Sequence, residues 1–142
     1  MNSLGGESGL SCVPDTTIDE INIDEIDSLL FPGCMDIMSL NYEERFFDFI
    51  KKVSGNVKII ASISSSPFLL AKAGVLSGKN YTVGMTEEQR DQVGVFEKEN
   101  YSAELVVQDG NLITARGRGF IRFGICLGKA LNLKFDENWY RE

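Results

Sequence analysis

Histidine is missing from all 142 residues of the chain. Any Ser-His-Asp or Cys-His mechanism is therefore excluded within it, and so is every His-ligated metal site. Basic residues are sparse, with 14 Lys and Arg against 21 Asp and Glu, a net charge of -7. That balance argues against nucleic acid or an anionic membrane surface as the main partner, because both reward clustered Lys and Arg. No apolar run approaches the roughly 18 to 20 residues that a bilayer span requires. The start, MNSLGGESGLSC, has no basic segment leading into an apolar core, so a signal peptide is not expected. Cysteine is limited to Cys12, Cys34 and Cys126, an odd number at irregular spacing. This fits a reducing cytoplasm and gives no zinc pattern, and neither a metal nor a cofactor is expected.

What remains is an ordinary globular composition, 43% hydrophobic and 25% charged, over a length that suits one domain. Ser28-Leu29-Leu30-Phe31 is a short apolar run that stops at Pro32-Gly33, as a buried parallel strand does. Asn41, with Glu44 three residues on, reads as the N-cap of a helix carrying Tyr42, Phe46, Phe49, Ile50 and Val53 at helical spacing, closed by Gly55. Val57 to Ile63 is the next strand. Ser66-Pro67 then signals a helix to about Leu76, with Gly78 beyond.

Further on, Tyr81-Thr82-Val83 reads as a short strand, and Thr86 with Gln89 caps the helix in TEEQRDQV. Ala103 to Val107, Asp109-Gly110 and Leu112 to Thr114 make a hairpin, with Asp-Gly supplying the turn. A last helix spans about Gly119 to Asn132, with Phe120, Phe123, Gly124, Leu127 and Leu131 on one face and its glycines packed against a sheet. Two successive βα units predict a three-layer α/β domain with a mostly parallel sheet. Ligands then gather at the C-terminal strand ends, where Gly33-Cys34, Ser64-Ser65 and Arg116-Gly117 converge on one crevice. Before Ser28 there is only a Gly/Ser-rich start, residues 1–13, expected to be mobile, and the alternating acidic segment DTTIDEINIDEID.

The ordered motifs LLFPG, IIASISSSPFLLAKAGVLSGK and DGNLITARGRG resemble the ThiJ/PfpI family of the class I glutamine amidotransferase-like superfamily, over roughly residues 10 to 132. The resemblance implies a flavodoxin-like three-layer sandwich, truncated at the N-terminus relative to the family. It places Ser64 where the family carries its nucleophilic cysteine, and the backbone N–H groups of Cys34 and Ser65 at the oxyanion-hole positions. Arg118 stands where proline is usual. The histidine of some members falls near Gly84, and the glutamate that bonds the family's cysteine belongs to a region not visible here.

A serine nucleophile needs an adjacent base, and Lys58 and Lys72 are expected away from the turn. Ser64 thus reads either as a catalytic nucleophile or as a ligand-binding, structural residue. Cys34 is a substitute thiol or simply a backbone N–H, while Cys126 is packing. Arg116 and Arg118, ahead of a helix N-terminus, are either solvated loop charges or contacts to an anion. The acidic residues Asp19, Glu20, Asp24, Glu25 and Asp27 match no calcium loop and read as a solvated face.

The leading expectation is a cytoplasmic family-like domain without the usual cysteine chemistry, binding a small carbonyl- or carboxylate-bearing molecule, or a partner, around Ser64. The alternative is an amidase, peptidase or deglycase-type hydrolase using Ser64, with its base from a missing segment or a second chain; a third is a fragment with no activity of its own. A truncated sheet exposes an edge or an apolar face, so a homodimer is expected.

Overall fold

Ile59–Ile63 alternates its burial partners residue by residue, and that alternation sets the architecture. Ile60 joins one core cluster, whereas Ile59 and Ala61 join another on the opposite side. The computed structural model describes residues 3–141. It has six strands: β1 (Leu4–Gly5), β2 (Ser11–Cys12), β3 (Ser28–Phe31), β4 (Ile59–Ile63), β5 (Val106–Asp109) and β6 (Leu112–Ala115). Four α-helices accompany them: α1 (Glu44–Ser54), α2 (Pro67–Lys72), α3 (Glu87–Val93) and α4 (Phe120–Ala130), with short 3₁₀ turns between.

The main sheet has the order β3-β4-β6-β5, with β3 and β6 parallel to β4 and β5 antiparallel to β6. Helices α1 and α2 cover one face through Phe47, Ile50, Val53, Phe68 and Leu70. Helix α4 covers the other through Phe123 and Leu127. This is the three-layer α/β sandwich with a mostly parallel sheet that the sequence predicts. The start of the chain, which carries no strand signal, forms the small antiparallel pair β1-β2 outside that sheet.

Several local expectations are corrected. Asn41 does not cap α1; it ends a 3₁₀ turn over Ile37–Leu40, and the helix begins three residues later. Helix α2 stops at Lys72 rather than near Leu76, and Ser66 makes no capping bond to it. Tyr81-Thr82-Val83 is no strand, since only Tyr81 makes an isolated bridge, to Tyr101. In the hairpin, Asp109 pairs with Leu112, which leaves Gly110 and Asn111 as the central residues. Only Gly110 has positive φ, 60°, the requirement of a two-residue turn with glycine first. Asp109 instead accepts a hydrogen bond from the Asn80 N–H at 2.8 Å.

On α4, Phe120 is 63% exposed, a Cβ at Gly124 would meet open space, and Gly128 abuts the Phe135 ring rather than the sheet. A helix this apolar looks one-sided by sequence whichever flank the sheet takes.

Candidate functional site

Ser64 follows β4 directly and adopts a left-handed backbone, φ 68°, which is rare for a residue with a side chain. Two bonds hold it there: its N–H donates to the Ala115 carbonyl at 2.8 Å, and its carbonyl accepts from the Gly84 N–H at 2.6 Å. Strain of this kind costs on the order of 1–3 kcal/mol and persists only where the surroundings impose it. Three glycines complete the frame. A Cβ on Gly33 would lie 3.1 Å from Ser64 Cβ, one on Gly117 3.4 Å from Ser64 Oγ, and one on Gly84 3.1 Å from the Ser64 carbonyl. The ends of β3, β4 and β6 thus meet at one residue, so Gly33-Cys34, Ser64-Ser65 and Arg116-Gly117 do converge.

Each of the three serines has its own environment. Ser64 Oγ makes no hydrogen bond among the described residues and lines the crevice. Ser65 Oγ donates to the Cys34 carbonyl, tying the β4 turn to the loop after β3. Ser66 is buried, with Oγ 2.6 Å from Ser62 Oγ, 3.2 Å from the Phe31 carbonyl and 3.1 Å from the Ile63 N–H that it accepts. It knots β3 to β4 beneath the site, which is why it does not cap α2.

The crevice is a cavity of about 540 Å³ bounded by Glu7, Cys34, Met35, Ser64, Met85 and Gln92. A second lobe of about 350 Å³ shares Ser64, Gly84 and Gln89 and runs to Arg116, Gly117 and Arg118. The two arginines make no ion pair with any described residue. Likewise the backbone N–H groups of Cys34 and Ser65 find no acceptor among the described residues.

Glu7 reaches in from the β1-β2 turn, a contribution with no signal in the sequence, because it depends on where an isolated hairpin docks. Its carboxylate accepts from the Met35 N–H at 2.7 Å and from Cys34 Sγ at 3.4 Å. The Met35 N–H, more than the thiol, holds the Glu7 carboxyl below its ordinary range. Burial, reinforced by Glu7, pushes the Cys34 thiol up. A raised thiol stays protonated at neutral pH, the opposite of what a nucleophile needs. The lysines are elsewhere: Lys58 pairs with Asp27, and Lys72 donates to Asn41. Among the described residues no three His, Cys, Asp or Glu side chains gather as a metal site, and no helix is long and apolar enough to cross a membrane.

A model of the DJ-1/PfpI family matches residues 2–127. The chain belongs to this family. It is 37% identical over 118 residues to a deglycase of Thermococcus kodakarensis, covering 82% of this chain and 68% of that one. The protein dj-1beta of Drosophila melanogaster is 32% identical over 126 residues, covering 82% and 64%. A thiJ/pfpI family protein of Bacillus anthracis superposes with a TM-score of 0.83 at 24% identity, covering 98% of this chain and 67% of that one, which shows the fold. The chain therefore spans about two thirds of the length of these DJ-1/PfpI relatives.

Proposed function

We propose that this DJ-1/PfpI domain binds a small carbonyl- or carboxylate-bearing molecule at the Ser64 crevice, without the family's cysteine chemistry. One observation carries the reading: Ser64 Oγ has no base within hydrogen-bond reach among the described residues, while donors for an oxygen ligand stand open around it. The Cys34 and Ser65 N–H groups suit a carbonyl or carboxylate oxygen, and the lobe at Arg116 and Arg118 suits a negative charge. Calorimetric titration with glyoxylate, which carries both groups, tests this. Binding is expected without turnover, weakened about tenfold in Arg116→Ala by loss of one charge-assisted contact.

The second reading is a Ser64-dependent hydrolase or deglycase. Its support is the imposed left-handed turn at Ser64 together with relatives that carry the name deglycase. Methylglyoxal consumption or amidase turnover by the chain that disappears in Ser64→Ala would overturn the binding-only reading. Activity that emerges only in Ser64→Cys would instead show a retained pocket with an exchanged nucleophile.

A further inference from the structure

The two lobes of the crevice share Ser64 and carry opposite charge. Glu7 and Asp36 line the larger lobe, and no Lys or Arg among the described residues does. Arg116 and Arg118 line the smaller one, and among the described residues no Asp or Glu does. Neither arginine is neutralised by an ion pair with a described residue. Glu7 is ionised at neutral pH, because the Met35 N–H at 2.7 Å holds its carboxyl below the ordinary range. An anion is thus drawn to one side of Ser64 and repelled from the other.

The acidic lobe is also the apolar one. Met35, Ile37, Met38, Met85 and Val93 line it, and Met35 and Met38 are 90% and 43% exposed. Unbranched methionines adapt to ligands of differing shape. Covering such surface strengthens binding by about fourfold for each methylene removed from water. Both exposed methionines sit in the loop after β3, which Ser65 Oγ fastens to the β4 turn through the Cys34 carbonyl. The apolar lip is therefore fixed relative to Ser64. At about 540 Å³ the lobe has the size of a small-molecule site, and glyoxylate leaves most of it unfilled.

We propose that the crevice selects α-keto acids carrying an apolar chain, and that Glu7 is the specificity residue that rejects dicarboxylates. This selectivity rests on the ligand reading above and gives that ligand a class. The two substituents of a keto group diverge from its carbonyl carbon, as the two lobes diverge from Ser64. With the carbonyl oxygen at the Cys34 and Ser65 N–H groups, the carboxylate enters the arginine lobe and the chain lies along the methionines. The reverse orientation sets the carboxylate against Glu7 and Asp36, which disfavours it. A dicarboxylate has no good orientation, because one of its charged ends always falls in the acidic lobe.

Calorimetric titration of the full chain with glyoxylate, 5-methyl-2-oxohexanoate and α-ketoglutarate tests the selectivity. The last two differ only in whether the chain ends in an isopropyl group or in a carboxylate of similar shape. The isopropyl compound should bind about tenfold or more tighter than glyoxylate, and by a similar factor tighter than α-ketoglutarate. Glu7→Gln keeps an acceptor for the Met35 N–H and removes the charge, so α-ketoglutarate should tighten about threefold or more. Met38→Ser, at a partly exposed position, should weaken the isopropyl compound about threefold. The ranking of ligands on the parent chain is independent of how either variant folds. Glyoxylate binding with no gain from the isopropyl chain, or α-ketoglutarate binding as tightly as its isopropyl counterpart, overturns the selectivity and leaves the ligand reading standing. An unmoved α-ketoglutarate affinity in a folded Glu7→Gln chain overturns the role given to Glu7. Absence of binding by all three overturns the selectivity and the ligand reading together.

Discussion

The two faces of the sheet are both buried at the central strands, but only the α4 face is left open toward the β3 edge. Against α1 and α2, Ile50, Val53, Phe68 and Leu70 are all fully buried. Against α4, Ala61, Ile113 and Ala115 of the central strands and Phe123 of the helix are buried, while Leu30 on the edge strand and Phe120 on the helix stand in solvent. Both faces are apolar in sequence, so hydrophobicity did not decide the difference; what decided it is whether a second element exists to cover the surface. The crevice belongs to the well-packed side. Its turn is fastened by Ser66, which reaches β3, β4 and Ser62 from within that layer. A strained residue such as Ser64 persists where its neighbours are fixed, and an adaptable surface is left where they are not.

The largest effect should come from truncating an aromatic ring on each side. Phe68→Ala is expected to cost about 3–5 kcal/mol in urea unfolding, because it leaves a cavity in a packed layer. Phe120→Ala should stay within about 0.5 kcal/mol, as exposed positions do. Equal losses would abolish the distinction between the two faces.

Ser66→Ala comes next. It strands the buried Ser62 hydroxyl and the Ile63 N–H, a cost of about 1–3 kcal/mol. Because the same bonds fasten the turn, glyoxylate affinity should fall with it.

Two glycines sharpen the contrast further. Gly84→Ala should destabilise by about 1–3 kcal/mol and displace Ser64, since the new methyl meets that residue's backbone carbon and oxygen at 3.1 Å. Gly124→Ala, with nothing within 4 Å and a helical backbone, should stabilise α4 by about 1 kcal/mol. Thermal unfolding of the two variants in opposite directions is the check.

The smallest effect is confined to alkaline conditions. Burial pushes the Tyr81 hydroxyl up to about 12 from an ordinary value of 10.0, with the Arg90 charge acting against it. The neutral form is therefore favoured by folding: its contribution is complete below pH 10 and declines as pH rises toward about 12. A Tyr81→Phe variant should show a flatter stability profile across that window.

Much of this molecule was legible because the signals were local. The Thr86–Gln89 capping box and the glycine of the β5-β6 hairpin are both set by residues within four positions of each other. The crevice was also legible in outline, since strand ends in a parallel sheet must share one side. Illegible were Glu7 at the Cys34 loop, Gly84 against the Ser64 carbonyl, and Ser66 as a buried knot instead of a helix cap. The Glu7–Cys34, Gly84–Ser64 and Ser66–Phe31 contacts each join positions at least 20 residues apart, for which composition and spacing hold no record.

By itself, then, the sequence determined the alternation of strands and helices, the direction of the sheet and the absence of any histidine base, because each follows from neighbouring residues or from composition alone. Only the tertiary structure decided that Ser66 ties β3 to β4 from beneath the site, which thiol is held protonated beside a carboxylate, and which apolar residues stay uncovered. Those outcomes depend on how distant segments dock, and docking is fixed by packing and hydrogen bonding across the whole chain.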